Sequence, residues 1–152
     1  MNTNMENNSI NITLQTLLDS ISDAVMVIDR NFQVRMLNKA ALDTHLQDAS
    51  FSAPILCHKL THDRDTPCSE PEHECPFHEV METGKSCTVL HYHRNNHCGT
   101  IPFEILASPI HDDNGVIVGI VELARDVSDR LAKEKSREKR TRVCLICNGN
   151  SQ

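Results

Sequence analysis

The chain has 152 residues, a hydrophobic content of 39% and a formal net charge of -6 at pH 7. This length suits one domain with short flanks, and the acidic balance argues against a general nucleic-acid binder. The N-terminus carries no basic stretch followed by an apolar one, and no apolar run reaches the roughly 18 residues of a membrane-spanning helix. We therefore expect a cytoplasmic protein without membrane partners, whose seven cysteines are thiols or metal ligands and not disulfides.

The first predicted element is an amphipathic helix that follows a polar, Asn-rich start. Its apolar residues recur at helical spacing, at Ile10, Leu14, Leu17, Leu18 and Ile21. So narrow a stripe is typical of a helix that packs on a neighbouring domain or on a second copy of the chain. We therefore expect the flanking helices to mediate homodimerisation.

A β-hairpin and a short helix come next. Residues 24–28 form a continuous apolar run, residues 29–31 have turn chemistry, and residues 32–37 alternate as a half-buried strand does. Asn38 can cap the following helix through its side-chain oxygen. Residues 50–76 then show no clear periodicity and are rich in Cys, His, Asp and Pro.

The second half of the chain predicts one short helix and three strands. The helix covers residues 77–83, and Gly84 stands where a C-terminal cap glycine belongs. The strands cover residues 87–93, 101–109 and 116–124, and an Asn-Gly pair marks the last hairpin turn. Hairpins at both ends with helices between them predict an α+β fold with one antiparallel sheet.

We divide the chain into three parts: a disordered start or first helical turn at residues 1–13, the domain at residues 14–127, and a charged signalling helix with a truncated-looking tail at residues 128–152. In the tail, opposite charges four residues apart favour a solvated helix over a nucleic-acid patch. Cys144 and Cys147 form a lone C-x-x-C pair whose role stays open.

Several stretches make the chain resemble the PAS domain family. They are residues 17–29, 36–41 and 107–115, together with residues 119–130, which are similar to the closing strand of the family and its exit to a signalling helix. The resemblance covers residues 14–130. It implies a five-stranded antiparallel sheet with helices on one face, in a dimeric, non-catalytic sensor. Such a sensor passes its signal to a partner such as a histidine kinase, a cyclase or a transcription regulator.

One segment departs from a minimal PAS domain. Residues 57–76 resemble a cysteine-rich loop of many bacterial sensor PAS domains, a likeness that does not settle the cofactor. Cys57, Cys68 and Cys75 supply three thiolates, and His73 could complete a tetrahedral zinc site. The same thiolates could hold an iron–sulfur cluster with a fourth ligand from elsewhere, so zinc and iron–sulfur stay open alternatives. Haem and flavin are not favoured.

Further donors stand outside this main ligand set: His62, Cys87, His91, His93 and Cys98. His91 and His93 share one face of a strand, where they either reach the loop or face solvent. We expect three other histidines, His58, His78 and His111, at the surface.

Two further interpretations of the cysteines are redox-active thiols and plain structural thiols. An iron–sulfur cluster would make the protein an oxygen or redox sensor, whereas zinc would hold the loop. The rival function is a small redox or electron-transfer protein that uses the same cysteines. We expect no enzyme, because residues 82–86 lack the first glycine of a phosphate-binding loop and no nucleophile with its base is recognisable.

Overall fold

The computed structural model describes four stretches of the chain: residues 13–46, 54–69, 74–95 and 99–148. Its helices are α1 (Leu14–Asp19), α2 (Lys39–His45), α3 (Cys57–His62), α4 (Pro76–Thr83) and α5 (Ser128–Asn148). Its strands are β1 (Ala24–Asp29), β2 (Val34–Leu37), β3 (Cys87–Asn95), β4 (Gly99–His111) and β5 (Ile117–Asp126).

The five strands form one antiparallel sheet in the order β2-β1-β5-β4-β3. This confirms the α+β prediction and the five-stranded sheet that the resemblance implies. The central strand β5 places Ile120 opposite Ile28 of β1, and the edge strand β3 places His91 opposite Phe103 of β4. The first and last hairpins of the chain therefore lie side by side in the sheet.

One face of the sheet forms the core together with α2, α3 and α4. Ile28, Ile105 and Ile120 are almost completely buried on that face, where they pack with Val80 of α4. Because side chains alternate along a strand, the neighbours of these core residues in each strand lie on the opposite face. That outer face exposes three large side chains: Leu90, Tyr92 and Leu106.

Asn38 caps α2 as the sequence predicts and also fixes the chain around it. Its Oδ1 accepts hydrogen bonds from the backbone N–H groups of Ala41 and Val25, both at 2.9 Å. Its Nδ2 donates to the carbonyl oxygens of residues 18, 21 and 23. The side chain is fully buried, and the two hydrogen bonds that its Oδ1 accepts are buried with it.

Two glycine positions confirm predicted turns. Gly84 ends α4 with a φ of 68°, the left-handed conformation of a cap glycine. Gly115 has a φ of 79° in the turn between β4 and β5, where Asp112 Oδ1 accepts hydrogen bonds from the N–H groups of Asn114 and Val116.

Helix α3 lies in the segment for which the sequence predicts no regular structure. It has only six residues, its N-cap Leu56 makes no side-chain capping bond, and Asp63 ends it at a φ of 55°. A sequence pattern of helical period cannot develop in so short an element. The fold holds its start by tertiary bonds, because the N–H of Cys57 donates to the carbonyl of Phe32 at 2.9 Å.

Helix α1 begins at Leu14 behind an N-cap at Thr13, and none of its residues is buried. Leu14 is 61% exposed and Leu17 is 51% exposed, so the apolar stripe is uncovered in the single chain. Ile10, the first member of the predicted stripe, lies outside the described residues.

Helix α5 begins at Ser128, where the predicted signalling helix starts, although its role as a separate unit stays a prediction. Among the described helices, none is both long enough and apolar enough to span a membrane.

Candidate metal centre

Three separate parts of the fold deliver the three predicted cysteines to one place. Cys57 is the first residue of α3, Cys75 is the N-cap residue of α4, and Cys68 is buried in the segment between the two helices. All three line a small interior cavity of about 20 Å³ between these helices and the sheet. The structure thus brings together thiols that are up to 18 positions apart in sequence (75 minus 57).

Cys68 and Cys75 form a hydrogen-bonded pair. The thiol of Cys68 donates to Cys75, which lowers the pKa of Cys75 to about 6. The backbone N–H groups of Phe77 and His78, in the first turn of α4, also favour a negative sulfur at this helix start. The same pairing and burial raise the pKa of Cys68. The hydrogen bond therefore favours the thiolate form of Cys75 and the protonated form of Cys68.

Cys57 is in a different electrostatic state. Burial raises its pKa well above the ordinary range, and the negative charges of Glu122 and Cys75 raise it further. A bound cation would reverse this effect, since metal coordination displaces the proton of a thiol.

Glu122 is a site residue that the sequence analysis missed. It lies on the central strand β5, between Met26 of β1 and Ala107 of β4, and lines the same cavity as the three cysteines. Burial raises its pKa to about 8, and the nearby Cys75 contributes to that shift. The alternation of strand residues offers a way to find it, because Glu122 shares the face of the core residues Ile120 and Ala124.

Three histidines line the same cavity. His91 and His93 lie on β3, both are buried, and both face the core, so the structure contradicts the solvent-facing alternative. His62 ends α3 and contacts both rings, with centroid distances of 5.4 Å to His91 and 4.7 Å to His93. One nitrogen from each of the three rings lies within 4.8 Å of the others. His45 of α2 is also buried beside this group, 5.8 Å from His93 between ring centroids.

His91 has a defined tautomer. Its Nε2 lies 2.6 Å from the backbone oxygen of Glu74. A carbonyl oxygen can only accept a hydrogen bond, so Nε2 carries a hydrogen. Metal-binding histidines are commonly held by such a bond on the second ring nitrogen.

The remaining candidate ligands that the structure describes, and the histidines expected at the surface, are not among the residues that line this cavity. The thiol of Cys87 donates to the carbonyl of Pro76 at 3.7 Å, burial raises its pKa to about 11, and it does not line the cavity. His73 and Cys98 lie outside the described residues. His58 is buried against Phe32, so its expected surface position is wrong, whereas His78 and His111 are exposed as expected.

A cleft of about 510 Å³ connects the cysteine pair with the surface. Cys68 and Cys75 line it together with Ser69, His78 and three glutamates, Glu74, Glu79 and Glu82. The acidic rim attracts cations, and the width of the cleft admits small oxidants as well as metal ions.

The donor set fits a metal ion or an iron–sulfur cluster. Thiolates and imidazoles are the ligands of zinc and iron–sulfur centres, and here they converge on one interior place.

Comparisons with known proteins identify relatives of this fold. A family sequence model described as the PAS fold matches residues 18–132. The PAS domain of a protein from Colwellia psychrerythraea has a TM-score of 0.60 and 17% identity, over 74% of this chain and 92% of that chain. An RNA-binding Light-Oxygen-Voltage receptor has a TM-score of 0.68 and 16% identity, over 92% of this chain and 41% of that chain. No curated protein matches the chain.

A complex of VqmA from Vibrio cholerae with ligand and DNA is similar as well. Its TM-score is 0.59 and its identity 19%, over 78% of this chain and 53% of that chain. At such identities the likeness to solved structures shows the fold alone. The chain spans about half or less of the receptor and of VqmA, and nearly all of the Colwellia domain.

Proposed function

The chain belongs to the PAS family, whose domains are generally sensory and not catalytic, and from that premise we propose that it is a signal-transduction sensor module and not an enzyme. Its proposed input is redox state, oxygen or metal availability, read through a metal ion or an iron–sulfur cluster at the cysteine site. The observation that carries this proposal is the convergence of Cys57, Cys68 and Cys75 on one cavity.

The ligand set supports this proposal through its chemistry. Three thiolates select zinc or iron–sulfur over the hard cations, which prefer oxygen ligands. The fourth ligand that we expect from the sequence is His73, and Glu122 is a second candidate because it lines the cavity. Coordination would also stabilise the segment between α3 and α4, since it contributes folding free energy where the sequence has few apolar residues.

Strand β5 offers a physical route from the site to an output helix. Glu122 lies on this strand, and four residues later Asp126 Oδ1 accepts a hydrogen bond from the N–H of Ser128, the first residue of α5. The N–H of Val127 donates to the carbonyl of Pro102 on β4 at 3.1 Å. A change of charge at the cavity would therefore act on a strand that continues directly into α5.

The partner that we propose is an output module such as a histidine kinase, a cyclase or a transcription regulator. The comparisons give no support to our expectation that nucleic acid is excluded, because one similar structure is of an RNA-binding receptor and another is of a DNA complex. That exclusion is therefore not part of the proposal. The cytoplasmic location stays a prediction.

Homodimerisation is a further part of the proposal. The exposed stripe of α1 includes Leu14 and Leu17, and a second copy of the chain would cover it. Burying two such leucines in each protomer would stabilise a dimer by several kcal/mol, on the order of 1.5–3 kcal/mol for each side chain before the costs of association.

The Cys68–Cys75 pair supports a second candidate function, a small redox or electron-transfer protein. Oxidation would join the two sulfurs in a disulfide, releasing the one proton that Cys68 holds and passing two electrons to an external oxidant that enters through the cleft. Cys75 is the thiolate that such a reaction needs, and the cleft exposes the pair to reagents.

Hydrogen exchange on the full chain separates the two functions. In the sensor, removing the bound metal or cluster with a chelator should increase exchange in β5 and in the first turn of α5, and Cys68→Ser should abolish this response. In an electron-transfer protein, the change should stay within residues 57–76. Unchanged exchange in β5 and α5 would contradict the sensor function.

A further inference from the structure

We propose that His62, His91 and His93 form a second metal site, which binds one divalent ion of the zinc class independently of the cysteines. Within the described part of the chain, this is the one group whose three ligand atoms lie within 4.8 Å of each other. The cysteines line the same cavity but do not form so close a group. The proposal goes beyond the sensor function and does not depend on it.

The backbone places these three imidazoles together. His91 and His93 are two residues apart on β3 and therefore share its inner face, and the end of α3 brings His62 against both. A zinc ion with Zn–N bonds of about 2.0–2.1 Å needs nitrogen atoms roughly 3.3 Å apart in tetrahedral geometry. The observed separations reach that value through small rotations of the rings.

The hydrogen bond of His91 is an independent observation that points to a ligand. Its Nε2–H donates to the carbonyl of Glu74, which fixes the orientation of the ring beside His62 and His93. This is the arrangement by which the surroundings of a metal site orient a histidine ligand. Since Glu74 directly precedes Cys75, the bond also joins the histidine group to the cysteine segment.

Burial gives the histidine group surroundings in which a cation can be held away from water. His91 is 3% exposed and His93 is 2% exposed, and both lie beside apolar side chains such as Phe103 and Ile105. Buried imidazole nitrogens need polar partners, and a bound ion would supply three coordinate bonds to them.

The donors define the class of ion. Neutral imidazole nitrogens suit zinc and its neighbours such as cobalt, nickel and copper, and they suit calcium and magnesium poorly. Three protein ligands leave a fourth position for water or a small ligand, as in zinc sites that remain open. Glu122 lines the same cavity and can balance the charge of the ion.

Cobalt(II) tests this site because its absorption spectrum reports the ligands. Thiolate ligands give an intense near-ultraviolet charge-transfer band, whereas imidazole ligands alone give only weak visible bands. The probe is Co²⁺ added without oxygen to the full chain that carries Cys57→Ser, Cys68→Ser and Cys75→Ser. We expect one equivalent of Co²⁺ to bind with visible bands and without the charge-transfer band, and Zn²⁺ to displace it.

Adding His62→Gln to this triple variant should weaken Co²⁺ binding at least about 100-fold, as expected for the loss of one of three ligands. His62 is only partly buried, so this change should leave the fold intact, and His111→Gln, at an exposed histidine, is the matched control. Tight binding that survives both His62→Gln and His91→Gln would overturn the proposal. Absence of binding to the folded triple variant would overturn it as well.

The wild-type chain gives the same answer if the triple variant does not fold. In that chain, His62→Gln should remove one equivalent of Co²⁺ and keep the thiolate charge-transfer band. Loss of the charge-transfer band in His62→Gln would instead make His62 a ligand of the cysteine site and overturn the independence of the two sites. A wild-type chain with visible bands but without the charge-transfer band would show a histidine site and no cysteine site. Failure of this proposal and failure of the proposed function therefore give different spectra.

Discussion

The thiol of Cys68 donates a hydrogen bond to Cys75, and this contact lowers the pKa of Cys75 to about 6. In metal-free, reduced protein, Cys75 should therefore react with iodoacetamide faster than Cys87 at neutral pH, with a rate midpoint near pH 6. Cys68→Ala removes the donor, so the midpoint should rise toward the ordinary value of 9.0. Site-resolved mass spectrometry measures each rate. Cys87→Ala is the control, and an unchanged midpoint in Cys68→Ala would contradict the pairing.

Asn38 should be among the residues whose loss costs the most stability. Its side chain makes five hydrogen bonds to the backbone in a fully buried position. Asn38→Ala leaves these groups without that partner, so we expect a loss of about 3 kcal/mol or more in the free energy of unfolding. Thr13→Ala removes the exposed cap of α1 and should cost only about 0.5–1 kcal/mol. Urea denaturation measures both, and equal losses would contradict the anchoring role of Asn38.

Glu122 should make the metal-free fold less stable as the pH rises. Its pKa is about 8 in the fold against an ordinary value of 4.5, so between these values the folded chain holds a proton that the unfolded chain has lost. The contribution of Glu122 to the free energy of unfolding should therefore be largest below pH 4.5. It should fall as the pH rises to about 8. Replacing Glu122 by Gln removes this dependence, which is on the order of 3 kcal/mol.

This comparison is best made in a Cys75→Ser background. Cys75 has a lowered pKa and so contributes the opposite trend, a stability that is present above its unfolded pKa and lost as the pH falls. Burial is the first cause of the Glu122 shift and remains in that background. Thermal unfolding between pH 5 and pH 8, roughly the window of the two values, measures the effect. Parallel curves for the chains with Glu122 and with Gln would rule it out, and Glu79→Gln, at an exposed position, is the control.

The exposed stripe of α1 should support a dimer. Leu14→Ser with Leu17→Ser removes apolar surface that is uncovered in the single chain, so the variant should be monomeric where the wild type is dimeric. Light scattering at roughly tens of micromolar, a range in which weak dimers form, measures the mass. Val116→Ser alters an exposed residue beside the β4–β5 turn and should leave the dimer intact. A monomeric wild type would show that the prediction is wrong.

The sequence predicts the fold well because its evidence is local. Alternating strands, the Asn-Gly turn and the cap residues Asn38 and Gly84 each depend on neighbours in the chain, and the structure confirms them. Helix α3 could not be predicted in the same way. It is short and uncapped, and the bond from Cys57 to the carbonyl of Phe32 holds its start.

The site is only partly predictable from the sequence, because contacts between distant parts of the chain assemble it. Cysteines stand out in a sequence, so Cys57, Cys68 and Cys75 could be grouped in advance. Glu122 lies in an apolar strand far along the chain, and only the register of β5 shows that it enters the same cavity. The meeting of His62 with the histidines of β3 depends likewise on how α3 packs against the sheet.

The shared site of the three cysteines is tested most directly by the metal content and absorption spectrum of the full chain, purified without oxygen. The wild type should carry zinc or an iron–sulfur cluster bound by sulfur. Cys57→Ser, Cys68→Ser and Cys75→Ser should each lose that one ion or cluster, while Cys87→Ser, outside the cavity, should keep it. A wild-type chain without sulfur-bound metal, or single variants that retain all of it, would contradict the shared site.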